Sequence, residues 1–410
     1  MLATRFVGAR GARPVVALFG HDATELTMIK RARAFAKAGL EVRGFTFRRT
    51  KLNRDYQPEW DDVDLGTTVD RHYGQRLMKL AKALPKIARH RERLAGADLF
   101  YARNLDMAAL ALAARTLARS RAPVVYEVLD VQRVFTGIGP VPATFRAAER
   151  RVLAGADLLV VSSEAFIRQY FAPVQGYRGP WHLLENKILG LAPSLTAGRP
   201  TPDAPRGPAT PPDGPWVIAW LGNLRCPRSP ALLIKIARVL GDRVRIHIHG
   251  YPTETGLDAF QARIAGHPNI VYHGEYKSPD DLQEIYDRAH FAWAFDYLDA
   301  GSNSDWLLPN RLYEGGFFGA PALAARATET GRRVRELGLG WTVREPVDRE
   351  VIELLQGLDR AAYLARRRAL LRLPASLFVD EGDTAALVHR ILVAPGPALA
   401  LTRQPAPAGV

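Results

Sequence analysis

Residues 306–323 read WLLPNRLYEGGFFGAPAL, a polar cluster followed by an apolar run that ends in Gly-Ala-Pro. The cluster brings together an amide (Asn310), a guanidinium (Arg311) and a carboxylate (Glu314). Pro309 suits the first turn of a helix, because its missing N–H has no partner there in any case. The free N–H groups and partial positive charge at a helix start favour an anionic ligand. The segment therefore predicts a ligand site at a helix start; the alternative is a surface helix weakened by two glycines.

A second cluster follows the predicted strand Trp216–Leu221, in the loop 222–229, which reads GNLRCPRS. Arg225 and Arg228 lie there beside the start of the next predicted helix. A guanidinium fork and free helix N–H groups both favour phosphate oxygens. The loop therefore predicts a diphosphate site, and the alternative is a pair of ordinary surface arginines. The chain has no Walker A motif and no Gly-x-Gly-x-x-Gly after a strand, which argues against P-loop and dinucleotide-binding proteins.

Strand-like and helix-like segments alternate in two series, separated by the Pro- and Gly-rich residues 196–215. Such alternation predicts an α/β fold with parallel sheets covered by helices, whose ligands bind outside the carboxyl ends of the strands. The predicted organisation is a first domain at 1–195, a linker or surface loop at 196–215, a second domain at 216–393 and a disordered tail at 394–410. The predicted strands are Val15–Phe19, Val42–Phe47, Asp98–Ala102, Val124–Val128, Asp157–Val161, Trp216–Leu221, Arg245–His249, Ile270–His273, Phe291–Phe295 and Ala320–Ala324.

Composition narrows the class of protein. The single cysteine, Cys226, excludes a disulfide framework and a cysteine zinc site. No apolar run approaches the roughly 20 residues that span a bilayer, and Val15–Phe19 is too short for a signal-peptide core. A cytoplasmic enzyme of two or three domains is expected.

Positive charge is concentrated in the first half, where residues 1–195 hold 31 Lys and Arg against 18 Asp and Glu. The densest part, Arg71–Arg93, also has apolar residues at helical spacing, although Pro85 is expected to kink or split the helix. A basic amphipathic helix suits an anionic membrane surface, with Lys79, Lys82 and Lys86 facing it. The alternative is a solvated helix whose apolar stripe packs on its own domain. No nucleic-acid partner is predicted, because helix-turn-helix, RNP and zinc patterns are absent.

Residues 14–345 resemble the GT-B glycosyltransferases of the family-4-like group, especially bacterial exopolysaccharide enzymes of the succinoglycan type. The resemblance implies a GT-B fold, with two Rossmann-like parallel-sheet domains facing across a cleft. It implies an acceptor-side N-terminal domain and a C-terminal domain for a nucleoside diphosphate-sugar, with no other cofactor, no metal and retention of anomeric configuration. The segments that carry it are 222–229, 306–323, Glu149–Phe166, Leu184–Lys187, Ile246–Gly250, Asn269–Gly274 and Asp281–Tyr286.

The resemblance also implies residue roles. Glu314 would hold the ribose of the nucleotide-sugar, and the loop 222–229 would hold its diphosphate. Asn223 stands at the family's arginine position and Arg228 at its lysine position, with Arg225 as an additional cation. The donor-binding residues predicted in this way are Gly222, Asn223, Arg225, Arg228, Gly250, Asn310, Arg311, Tyr313 and Glu314.

Two departures from the family pattern concern the chemistry. The family usually has two glutamates eight positions apart, but Trp306 stands eight positions before Glu314. Asp305 is the predicted replacement, with Asp296 and Asp299 as alternatives. The family's His-Asp after the fourth strand reads Leu-Asp here, ending in Asp130. Glu127 and Asp130 are predicted as catalytic carboxylates, or alternatively as capping and loop groups.

No metal site is predicted. Asp62-Val63-Asp64 mimics a metal-binding Asp-x-Asp motif but is interpreted as surface acid. His247 and His249 have strand spacing, which places both rings on one face, and they are expected to pack rather than to bind an ion.

These observations together predict a hexosyltransferase-type glycosyltransferase of exopolysaccharide biosynthesis. Its donor is a nucleoside diphosphate-sugar and its acceptor a lipid-diphosphate-linked or glycan molecule. It is expected in the cytoplasm, peripherally bound to the inner face of the membrane. The alternatives are a nucleotide-sugar epimerase of the same fold and a non-catalytic binding protein.

Overall fold

The structure is a computed structural model that describes residues 12–49, 56–68, 73–190, 198–203, 207–208, 210–211 and 213–393. The predicted tail at 394–410 lies outside these residues, as does Arg71 of the basic segment. The chain forms two compact units, one from Met1–Glu185 with Gly382–Val410 and the other from Asn186–Glu381.

Strands and helices alternate in both units, as the sequence predicts. The strands are β1 (Val15–Gly20), β2 (Glu41–Arg48), β3 (Asp61–Thr67), β4 (Leu99–Arg103), β5 (Val124–Val128), β6 (Leu158–Val161), β7 (Trp181–Leu183), β8 (Ile188–Leu189), β9 (Trp216–Asn223), β10 (Val244–Tyr251), β11 (Ile270–Tyr272), β12 (Phe291–Trp293), β13 (Ala322–Ala325), β14 (Gly340–Val343) and β15 (Val379–Asp380). The helices are α1 (Leu26–Lys37), α2 (Tyr73–Arg89), α3 (Arg91–Ala95), α4 (Leu105–Leu117), α5 (Arg133–Thr136), α6 (Pro140–Gly155), α7 (Glu164–Phe166, continued by a π-helical turn to Phe171), α8 (Arg228–Leu240), α9 (Leu257–Ile264), α10 (Leu282–Asp287), α11 (Asn303–Trp306), α12 (Asn310–Phe317), α13 (Glu329–Leu337), α14 (Val347–Gly357), α15 (Arg360–Arg372) and α16 (Asp383–Val393).

The first unit contains a seven-stranded parallel sheet in the order β3-β2-β1-β4-β5-β6-β7. Strands β1, β4, β5 and β6 are buried along their whole length, as expected for a parallel sheet covered on both faces. The edge strand β3 contains Asp62 and Asp64. Asp64 is exposed, but Asp62 is half-buried and accepts hydrogen bonds from the Thr46 hydroxyl at 2.7 and 2.8 Å. The interpretation as surface acid therefore holds for Asp64 and not for Asp62.

The last described helix, α16, belongs to the first unit, whereas the sequence places residues up to 393 in the second domain. Its apolar face, formed by Leu387, Val388 and Ile391, is buried in the core cluster that contains Val16 and Phe35. Order along the chain does not reveal this, because α16 follows the strands of the second sheet in sequence. The buried apolar stripe decides where the helix packs.

The second unit contains a six-stranded parallel sheet in the order β11-β10-β9-β12-β13-β14, and a small sheet of β8 and β15. Helix α12 lies close against β12, because a Cβ at Gly315 would be 2.6 Å from the Ala292 Cβ. A Cβ at Gly316 would similarly be 2.3 Å from the Phe378 ring. The two glycines thus permit close packing of a buried helix, and the alternative of a weakened surface helix is wrong.

Helix α8 begins at Arg228, and the buried Ser229 hydroxyl in its first turn accepts a hydrogen bond from Trp293 Nε1 at 3.1 Å. The described part of 196–215 lies against the second unit as a surface loop. Its Arg199 donates to the carbonyl oxygens of Phe317 and Leu373 at 3.3 and 2.9 Å.

Among the described residues, no helix combines the length and apolar character needed to cross a bilayer.

Candidate functional site

Two glycines pair with each other at the carboxyl ends of β9 and β10. Gly222 and Gly250 both have positive φ angles, +108° and +131°. A Cβ at Gly250 would lie 1.9 Å from the carbonyl oxygen of Gly222, so only glycine fits there. The two predicted donor-site glycines therefore lie side by side, at the sheet edge where ligands of parallel sheets bind.

The Arg311 side chain joins neighbouring strands at this edge of the sheet by hydrogen bonds. Its guanidinium is buried and donates to the main-chain carbonyls of Leu221, Trp293 and Phe295 at 2.9, 2.9 and 3.0 Å. Leu221 lies in β9, Trp293 is the last residue of β12, and Phe295 follows β12 by two positions. The sequence predicts Arg311 as a donor ligand, but its guanidinium contacts the main chain, which is a positioning role.

Glu314 lies one helical turn after Asn310 on α12 and is 5 % exposed. Burial raises the pKa of Tyr276 and Tyr286 well above the usual range, and the negative charge of Glu314 raises both further. The charge of the Glu314 carboxylate therefore acts on both tyrosine hydroxyls. Asn310 is exposed at the start of α12, and its side-chain oxygen accepts a hydrogen bond from Asn186 Nδ2 at 2.7 Å. Tyr313 is buried in the core cluster of this unit.

Both arginines of the loop 222–229 form ion pairs with carboxylates of the same unit. Arg228 contacts both carboxylate oxygens of Glu345 at 2.6 and 2.7 Å, and its guanidinium lies 4.3 Å from the centre of the Tyr297 ring. Arg225 contacts Asp296 at 3.5 Å. Asn223 is exposed at the end of β9. A bound diphosphate would replace one set of anionic oxygens at these guanidiniums with another.

The three acids considered for the missing glutamate lie in different surroundings. Asp296 is mostly buried and accepts hydrogen bonds from the Ser304 hydroxyl at 2.5 Å and from the Leu298 N–H at 3.0 Å. Burial raises its pKa, but Arg225 and the Ser304 hydroxyl lower it more, so the group is held ionised. Asp305 is half-buried on α11 and accepts from the Gly301 N–H at 3.0 Å. Asp299 is half-buried in the turn before α11.

In the first unit, Glu127 is enclosed within the protein. The side chain is 1 % exposed and contacts Arg31 at 2.6 Å and Arg103 at 3.0 Å. Burial alone would raise the pKa of Glu127. The two guanidiniums lower it by more than burial raises it, so the pKa is below its usual value and the carboxyl remains ionised. Glu127 lies within β5, so it is neither a capping nor a loop group, and its buried ion pairs support a structural role. Asp130, by contrast, is exposed after the end of β5.

Sequence reasoning missed a group of polar side chains that follows the ends of β1 and β4. His21 follows β1, and its Nε2 lies 3.0 Å from a carboxylate oxygen of Glu25. Its Nδ1 lies 2.9 Å from Nδ2 of Asn104, which follows β4 and has a φ of +73°. The sequence did contain one signal of a polar site here: the charged residues Arg103 and Glu127 lie at the end of and within otherwise apolar strands.

The basic helix α2 continues through Pro85 without interruption. Ala83 and Ile87 are fully buried, so part of the apolar stripe packs on its own unit. Lys79, Lys82 and Lys86 are exposed, together with Met78 and Leu84. The packing of this stripe agrees with the alternative interpretation, while binding of the exposed basic face to a membrane surface stays a prediction.

Comparisons with known proteins agree with this architecture. Residues 30–187 match the family described as "Glycosyl transferase 4-like domain". The chain is 38% identical over 335 residues to the succinoglycan biosynthesis protein ExoL of Rhizobium meliloti (strain 1021), covering 81% of each chain.

Solved structures show the same fold at low sequence identity. Sucrose-phosphate synthase from Thermosynechococcus elongatus superposes with a TM-score of 0.67 at 17% identity, covering 94% of this chain and 100% of that one. Anabaena HepE in complex with UDP and glucose superposes with a TM-score of 0.61 at 14% identity, covering 92% and 99%.

Proposed function

The chain belongs to the glycosyl transferase 4-like family and is a glycosyltransferase of the GT-B fold, and from this premise we propose its reaction. It transfers a sugar from a nucleoside diphosphate-sugar to a lipid-diphosphate-linked or glycan acceptor in exopolysaccharide biosynthesis. The observation that carries the proposal is the carboxyl edge of the second sheet. Glu314, the two loop arginines and the start of α8 lie at this edge. Arg311 joins the ends of β9 and β12 there, and the glycines leave room for the main chain.

The donor would be held in two parts. The Glu314 carboxylate is suited to the ribose hydroxyls, because an ionised acceptor forms strong hydrogen bonds with hydroxyl donors. Arg225, Arg228 and the start of α8 are suited to the diphosphate. The HepE structure with UDP and glucose supports this class of donor, because that protein shares the fold. The similarity to ExoL, a succinoglycan biosynthesis protein, supports a role in exopolysaccharide biosynthesis, and the acceptor class is proposed from the family.

Catalysis would consist mainly of positioning and charge stabilisation. The arginines and the helix start would stabilise the departing diphosphate, so that no metal ion is needed. Asp296 would orient Arg225 through their contact. Asp130 in the first unit and Asp305 in the second are each proposed as catalytic carboxylates, and retention of configuration is proposed from the family. Trp306 and Leu129 replace residues of the family pattern, so direct measurement of sugar transfer and donor hydrolysis tests whether the remaining acids suffice for the reaction.

The donor-site assignment predicts distinct losses for two variants. Glu314→Gln is expected to weaken binding of nucleoside diphosphates and of free nucleosides alike by about 1–3 kcal/mol, the scale of a lost charged hydrogen bond. Arg228→Ala is expected to weaken nucleoside diphosphate binding more than nucleoside binding, because only the diphosphate contacts the guanidinium. Calorimetric titration with a panel of nucleosides and their diphosphates measures both effects.

Two further variants serve as controls for this titration. Arg349→Ala removes an exposed arginine that pairs with Glu353 on the surface, and nucleotide affinity should not change. Glu345→Gln removes the carboxylate that holds Arg228, so diphosphate affinity should be equal or higher. Unchanged nucleotide affinity in both Glu314→Gln and Arg228→Ala would disprove the site.

The exposed basic face of α2 predicts binding to anionic membranes. Replacing Lys79, Lys82 and Lys86 with glutamine should weaken binding to anionic vesicles by about 3 kcal/mol, or roughly 100-fold, at about 1 kcal/mol for each residue near the surface. Binding by the unaltered protein should fade as salt rises. Sedimentation with anionic and neutral vesicles at two salt concentrations measures these effects.

The matched control removes the same charge from the second unit, at the exposed residues Lys235, Arg238 and Arg243. Vesicle binding should then remain close to that of the unaltered protein. Equal loss in both triple variants would show that only net charge matters. Equal binding to neutral and anionic vesicles would exclude an electrostatic membrane surface.

A further inference from the structure

Three histidines converge on one face of the second sheet, at its β11 edge. His247 and His249 lie two positions apart on β10, and His273 directly follows β11. The two strands are parallel neighbours in which Ile248 pairs with Tyr272. Residues two apart on a strand share a face, so the register brings His273 beside the other two rings. This set is called the three-histidine cluster below.

The nitrogens of the cluster are close enough for a common ligand. His247 Nδ1 lies 3.2 Å from His273 Nε2, and one nitrogen from each ring lies within 4.8 Å of the others. Two imidazole nitrogens on a tetrahedral Zn²⁺, with bonds of about 2.0–2.1 Å, are roughly 3.3 Å apart. The His247–His273 pair already has this separation. The His249 ring stacks on His273 with centroids 4.4 Å apart, and a ring rotation would turn its nitrogen toward the same point.

We propose that the three-histidine cluster binds one divalent transition-metal ion of the Zn²⁺ type. Three imidazoles with a fourth position open to water are a common zinc environment in proteins, whereas Mg²⁺ and Ca²⁺ require oxygen ligands. His273 is exposed, so the ion can enter from solvent, while His247 and His249 are half-buried. The site goes beyond the proposed sugar transfer, which uses other residues.

The charges around the cluster define how tightly it can bind. Arg245 and Arg288 lie on the same side and oppose a cation, while Asp281 favours one. Arg288 is exposed and pairs with Glu284 at 2.7 Å, which with solvent screening weakens its repulsion.

A bound ion would join the short edge strand β11 to β10. β11 has three residues and, in the described part of the chain, pairs on one side only, with β10. Ligand bonds to both strands would therefore stabilise this edge of the second unit. Because Gly250 follows His249 directly, the stabilised segment leads into the predicted donor edge of the sheet.

The test uses the full chain prepared without a polyhistidine tag and stripped of metal with a chelator. Calorimetry with Zn²⁺ should give one saturable site, and Mg²⁺ should give none. Free Zn²⁺ at about 100 times Kd should raise Tm by roughly 5–10 °C. His249→Gln and His273→Gln should each reduce Zn²⁺ affinity by more than the roughly 10- to 100-fold lost with an outer-shell partner.

His267→Gln is the matched control, because His267 lies in the same unit and outside the cluster, and Zn²⁺ affinity should not change. Arg288→Gln should tighten Zn²⁺ binding by removing a nearby positive charge. Tm without metal shows that each variant is folded, and the exposed His273 is the substitution least disruptive to packing. Absence of a saturable Zn²⁺ site, equal binding by the cluster variants, or an equal response to Mg²⁺ would overturn the proposal.

Discussion

Glu127→Gln is expected to lower the free energy of unfolding by about 3–5 kcal/mol, the usual cost of removing one partner from a buried ion pair. The substitution would leave the guanidiniums of Arg31 and Arg103 buried without their counter-charge. Urea unfolding followed by circular dichroism measures the change. Asp130→Asn, an exposed substitution after the same strand, should change stability by no more than about 0.5 kcal/mol.

The difference between the unaltered protein and Glu127→Gln should depend on pH. The folded pKa of Glu127 is lowered, because the two arginines outweigh the effect of burial. The ion pair therefore contributes fully above the unfolded pKa of glutamate, about 4.3, and its contribution is lost as pH falls through the folded value. Unfolding curves between pH 7 and strongly acidic pH should show the two proteins converging. A variant as stable as the unaltered protein at pH 7, but inactive in sugar transfer, would instead assign Glu127 to catalysis.

Arg311→Met is expected to destabilise the second unit by roughly 3–5 kcal/mol. Three buried carbonyl oxygens would each lose a charged donor, at about 1–3 kcal/mol for an unsatisfied group, and neighbouring losses overlap. Arg311→Lys should recover only part of the loss, because an ammonium cannot match the planar fork that reaches three carbonyls. Urea or thermal unfolding measures both.

Arg349→Met provides the comparison, since its exposed pair with Glu353 is worth little. A stable Arg311→Met protein that had lost nucleotide affinity would contradict the positioning role and restore the predicted donor contact. A destabilised protein whose folded fraction still binds nucleotide would confirm it.

The fold was predictable wherever apolar residues form continuous runs. Val124–Val128 matches β5 at both ends, and the predicted strand at Trp216–Leu221 is extended by two residues in β9. Strand β3 was not predictable, because its sequence DDVDLGT contains few apolar residues. Its position depends on pairing with β2 and on the bonds between Asp62 and Thr46. Such interactions are absent from any local pattern.

The start of the helix that contains Glu314 was predictable, but the direction of each side chain was not. Pro309 correctly indicates a helix start, and α12 begins at Asn310. The orientation of Arg311 depends on Leu221, 90 positions earlier in the chain. Glu127 likewise depends on Arg31, 96 positions away. Burial of these groups is set by the packed tertiary structure, which residue spacing does not contain.

The return of α16 to the first unit has a consequence for the order in which the protein can be made. Arg31 donates to the Thr384 hydroxyl across 353 positions, and Leu387, Val388 and Ile391 complete the same core. At about 5–20 residues per second, α16 is synthesised roughly 10–40 s after the last strand of the sheet it covers. During that interval the nascent first unit lacks the apolar side chains that α16 adds to its core, whereas the second unit, Asn186–Glu381, is continuous in sequence and needs no later segment.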